Sequence, residues 1–106
     1  MPKYLISAAY TADGLKGLQK DKASGRRRAI SAAIESLGGK LEAIYFALGE
    51  DDVYLIVDLP DNAAAARYGI AVSGMGSVHT KTAALLTPEE LDAVLAKNVN
   101  YRPPGA

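Results

Sequence analysis

Four short apolar runs, each closed by turn-forming residues, leave this chain of 106 residues few ways to fold. They are Tyr4 to Tyr10, Lys40 to Leu48, Val53 to Leu59 and Ser77 to Leu86. All are of strand length, and a helical pattern fills the first and third gaps between them. The second gap is only Gly49-Glu50-Asp51-Asp52, residues suited to a hairpin turn. This order predicts a split βαβ unit used twice. Such a chain folds as ferredoxin-like βαββαβ, an α+β arrangement with a four-stranded antiparallel sheet and both main helices on one face.

The helices are marked by their ends. Thr11 to Lys22 contains Gly14 and Gly17 and reads as a loop with one or two irregular helical turns. Ser24 can cap a clearer helix, with Ile30, Ala33, Ile34 and Leu37 at helical spacing and Gly38-Gly39 ending it. Pro60 stops the third strand, and Asp61 or Asn62 can cap an alanine-rich helix that Ser73-Gly74-Met75-Gly76 breaks. Thr87-Pro88-Glu89-Glu90 predicts an additional C-terminal helix opened by a capping box, with Leu91, Val94 and Leu95 as its apolar stripe. The expected organisation is one domain over residues 1–97 and an irregular tail over 98–106, where Pro103-Pro104 precludes regular structure.

Alternation along the strands gives one set that belongs under helices: Ile44, Phe46, Leu48, Val53, Leu55, Val57 and Leu59. The other set carries tyrosines: Tyr4, Ile6 and Tyr10, then Leu41, Ala43 and Tyr45, then Tyr54 and Ile56 flanked by Asp52 and Asp58. A face so apolar should not stand bare in water. Sheet-to-sheet association of two or more copies is therefore expected, with Tyr4, Tyr10, Tyr45 and Tyr54 lining a small-ligand pocket or filling the seam.

Charge and composition narrow the classes of function. Twelve Lys and Arg balance twelve Asp and Glu, so no global field points to nucleic acid or an anionic membrane. Cysteine is absent, which removes disulfides, thiolate metal sites and a cysteine nucleophile. No basic run followed by a long apolar segment opens the chain, and no segment is apolar enough to span a bilayer, so the expected location is cytoplasmic.

Several stretches together resemble the GYD domain family. They are Pro2 to Ile6, Tyr10 to Leu18, Leu37-Gly38-Gly39-Lys40-Leu41-Glu42-Ala43, Leu59-Pro60-Asp61-Asn62, and Thr80 to Thr82 with Leu85 to Glu90. The resemblance covers residues 2–97. It implies a ferredoxin-like module of the dimeric α/β barrel type, oligomeric, widespread in bacteria and without an established activity. The Gly-x-Tyr-Asp turn of the family corresponds to Gly49-Glu50-Asp51-Asp52, with Asp51 at the tyrosine position. No role of that tyrosine carries over to this chain.

The candidate chemistry is sparse. His79, the only histidine, could move a proton from the fourth strand, or it is simply a half-exposed edge residue. Glu50, Asp51 and Asp52 could attract a cation, but an exposed acidic turn is the plainer reading, and no metal or cofactor is expected. Asp52 keeps interest as the acid nearest the tyrosine face. Arg26-Arg27-Arg28 could hold an anion, although successive positions point to different sides of a helix. An RNA-binding sheet is disfavoured because Asp52 and Asp58 would repel phosphate. Two readings follow: a module that binds a small ligand or assembles through its open sheet face, or a cofactor-independent enzyme acting on a small aromatic or carbonyl compound. In the second, Tyr45 and Tyr54 would orient the substrate and His79 or Asp52 would transfer the proton.

Overall fold

A computed structural model describes residues 1–106. The elements run β1 (Lys3–Tyr10), α1 (Ala12–Ser36), β2 (Lys40–Phe46), β3 (Val53–Asp58), α2 (Asn62–Gly74), β4 (Val78–Leu85) and α3 (Pro88–Leu95). The sheet order is β2-β3-β1-β4 with every neighbouring pair antiparallel, the ferredoxin-like arrangement expected from the element order. No helix is long and apolar enough to cross a membrane.

The core lies between the sheet and its two main helices. Tyr4, Ile6 and Ala8 of β1 and Val53, Leu55 and Val57 of β3 point into it, met by Ile30 and Ile34 of α1 and by Ala65 and Tyr68 of α2. Only 14 of the 106 residues are buried, so much apolar surface remains outside this core. Leu48 is one such residue: β2 ends at Phe46, which leaves Leu48 in the turn and fully exposed instead of under a helix.

The segment from Ala12 to Asp21 is helical, not a loop with one or two irregular turns. The Thr11 hydroxyl accepts the Gly14 N–H and caps α1 at its start, while Thr11 itself donates two hydrogen bonds to the Ser77 carbonyl. The helix is interrupted once. Lys22 has φ 64 and ψ 166, a conformation open almost solely to glycine, and the chain kinks there before continuing to Ser36.

β2 contains a bulge between Leu41 and Ala43, with Glu42 as the extra residue. The bulge changes the phase of alternation. Leu41 therefore pairs with Val57 on the helix side, while Ala43 pairs with Ile56 on the opposite side.

α3 is built as its opening residues predict. Thr87 and Glu90 form the reciprocal capping box, and Pro88 occupies the first turn. It stands away from the body, making no extensive contact with any other element. The molecule spans 56 × 33 × 23 Å, and its radius of gyration is 16.8 Å. A compact chain of this length would have a radius of gyration of about 13 Å.

Candidate functional site

The sheet face away from the helices is assembled from Lys3, Leu5, Ser7 and Ala9 of β1, Tyr54, Ile56 and Asp58 of β3, Lys40, Ala43 and Tyr45 of β2, and His79, Lys81, Ala83 and Leu85 of β4. Tyr45 and Tyr54 are direct cross-strand partners, 72% and 38% exposed. The other two candidate tyrosines lie on the opposite side of the sheet. Tyr4 is 2% exposed in the core, and Tyr10 packs against that core. Tyr4 can be buried because its hydroxyl donates to Asn62 Oδ1 at 2.7 Å, satisfying the one polar atom it carries. The four tyrosines therefore do not line one pocket.

Apart from Lys40, the charges on the open face are paired within the chain. Lys3 Nζ donates to Asp58 at 2.8 Å and to Glu42, the bulge residue, at 2.6 Å. Hydrogen bonds to Asp58 and then Glu42 push the Lys3 ammonium up to about 12. Lys81 meets Asp51 at 3.2 Å, which ties the β2–β3 turn to β4. The neighbouring Asp52 carboxylate accepts the Tyr10 backbone N–H at 2.8 Å, and the Asp52 N–H donates to the Ala8 carbonyl at 2.8 Å. Asp52 thus clamps the end of β1. His79 is exposed on the edge strand opposite Ala9. No group of three or more His, Asp or Glu side chains is arranged to hold a metal ion.

A second site lies on the helix side. The first half of α1, the end of α2 and the start of β4 enclose a cleft of about 360 Å³. Leu18, Val72, Met75 and Val78 supply its apolar walls, and Tyr10, Asp13, Asp21 and Arg26 its polar ones. An inner chamber of about 40 Å³ shares Tyr10, Arg26, Val72 and Val78 with the cleft and reaches Tyr68. Burial pushes the Tyr68 phenol up, while the Arg26 guanidinium pulls it the other way. Arg26 lies 3.7 Å from Asp21, an ion pair formed across the Lys22 kink. Of the three successive arginines, Arg27 and Arg28 are exposed and only Arg26 turns into the cleft.

The GYD domain model matches residues 4–95. The chain belongs to the GYD domain family. No curated protein and no solved structure matches it. In this GYD domain the acidic turn is a structural joint, since Asp51 and Asp52 engage β4 and β1 respectively. His79 lines neither the helix-side cleft nor its inner chamber, and Asp52 lines neither as well. Sequence reasoning missed Asp21 and Tyr68 at this cleft. Arg26 carried a signal in the triple-arginine run. Tyr68 gave none, because an isolated tyrosine in an alanine-rich helix has no pattern of its own.

Proposed function

We propose that this GYD domain is an assembly unit that associates with copies of itself through its open sheet face. The observation that supports this reading is the pair of apolar surfaces left without a partner in the chain: the Tyr45–Tyr54 face and the α3 arm. On α3, Leu91, Val94 and Leu95 form one stripe, with Leu95 71% exposed, and Leu86 just before it is exposed as well. An amphipathic helix with nothing on its apolar side gains most by burying that stripe elsewhere.

A second copy is the occupant that fits. Lys3 and Lys40 balance Asp58 and Glu42, and Lys81 balances Asp51, so two identical faces meet without net repulsion. Four strands of this length cover a plane of about 450 Å². A stable interface takes about 800 Å² from each partner. The α3 arm, laid on the neighbouring subunit, supplies the remainder.

Sedimentation at micromolar concentration tests the proposal. A dimer or larger closed oligomer is expected, and a Tyr45→Asp, Tyr54→Asp double variant should sediment as a folded monomer. A wild-type chain that remains monomeric would remove the proposal. In the alternative enzyme reading, His79 shares the open face with Tyr45 and Tyr54, while the Asp52 carboxylate is occupied by the Tyr10 backbone N–H.

A further inference from the structure

The helix-side cleft is a separate feature, on the other side of the sheet from the proposed seam. Its size falls within the range of small-molecule sites. Its charged groups differ in depth. Arg26 and Tyr10 border both the cleft and the inner chamber, and Tyr68 and Thr80 border the chamber alone. Asp13, Asp21 and Ser77 border only the outer cleft, so both carboxylates lie outward of the guanidinium. The two aspartates outnumber the one arginine, and a simple anion would meet a net negative site. A simple cation would leave the inner guanidinium unmatched.

The Arg26–Asp21 spacing identifies what suits both ends. At 3.7 Å the pair is in electrostatic contact but beyond good hydrogen-bonding distance, which leaves donors on Arg26 and acceptor positions on Asp21 unused. Two opposite charges placed side by side are the complement of an α-amino-acid zwitterion, whose carboxylate and ammonium sit on one carbon. The kink accounts for how the two groups meet. Lys22 holds a backbone conformation unfavourable to any side chain, and that strained residue lies between Asp21 and Arg26. A straight helix would place residues five apart on different faces.

We infer that the cleft binds a small α-amino acid with an apolar side chain, its carboxylate on Arg26, its ammonium on Asp21, and its side chain against Leu18, Val72, Met75 and Val78. Tyr10 and Tyr68 offer phenol hydroxyls at the inner end. The inference does not rest on self-assembly, because none of these residues belongs to the open face.

Calorimetric titration of the full chain with L-leucine and L-phenylalanine tests it, with 4-methylpentanoate and isoamylamine as the probes lacking one charge. At least one amino acid should bind saturably, and both single-charge probes should bind about tenfold more weakly or worse. Arg26→Gln and Asp21→Asn should each weaken amino-acid binding by a similar factor with the thermal melt retained. Asp21 is exposed, so its variant reports even if the Arg26 variant folds poorly. No binding of either amino acid at about 10 mM would overturn the inference. Equal binding of 4-methylpentanoate or isoamylamine, or full affinity in the folded Asp21→Asn variant, would overturn it as well.

Discussion

Gly14 rests directly on the backbone of Ser77: a β-carbon at Gly14 would lie 2.1 Å from the Ser77 carbonyl oxygen. That same oxygen accepts hydrogen bonds from the N–H and the hydroxyl of Thr11, so it cannot swing aside without breaking both. The start of α1 is thereby fixed against the start of β4.

Gly14→Ala should therefore destabilise the protein by about 1–3 kcal/mol, the usual cost of forcing extra volume into a filled space. Gly17, one turn later, has nothing within 4 Å of where its β-carbon would be. Gly17→Ala should stabilise by about 0.5–1 kcal/mol through helix propensity alone. Urea midpoints at constant slope distinguish the two signs.

Lys22 is the only non-glycine residue with positive φ. Lys22→Gly should relieve its backbone strain and raise stability by about 1 kcal/mol, even though glycine is ordinarily unfavourable within a helix. A fall in the denaturation midpoint would show that the kink stores no strain.

The bond from Tyr4 to Asn62 links β1 to the first residue of α2. Tyr4→Phe should cost about 1 kcal/mol. A double-mutant cycle with Asn62→Ala should return a coupling of about 0.5–1.5 kcal/mol, and strict additivity would mean that the bond contributes nothing.

Acid should fray α3 before the body unfolds. The Thr87 backbone N–H, and then its side chain, hold the Glu90 carboxyl below its ordinary value. A lowered carboxyl pKa contributes stability above the ordinary carboxylate range, and that stability is lost as pH falls through the lowered value. Amide protection in α3, relative to the intrinsic rate at each pH, should fall there, and Glu90→Ala should abolish that pH dependence. Lys3 has the opposite sign: its contribution is complete below the ordinary lysine value and disappears as pH rises through about 12. On the alkaline side, a Lys3→Met variant should therefore keep its stability difference from wild type until pH approaches about 12.

The order of elements was legible because each strand and helix is bounded by residues with their own local preferences: Pro60, Asp61, the Thr87–Glu90 box and Gly38-Gly39. The relative phase of the strands was not. Both faces of β1 carry apolar residues, so alternation alone does not say whether Tyr4 and Ile6 or Leu5 and Ala9 meet the helices. The bulge at Glu42 leaves no trace in composition, yet it moves Leu41 and Ala43 to opposite sides. The candidate site suffered more. Tyr10, Asp21, Arg26 and Tyr68 converge only because α1 continues through a region whose glycines read as a loop, and tertiary packing overrode that propensity.

The Glu42 bulge bears on how far association can go. β2 is an outer strand of the sheet, and a regular unpaired margin is a template on which further strands add without limit, the route to fibres. An extra residue bends that margin, and its carboxylate is drawn toward Lys3. Edge-on addition at β2 is thus discouraged. Under the face-to-face association proposed above, closed particles of fixed copy number are expected, rather than threads.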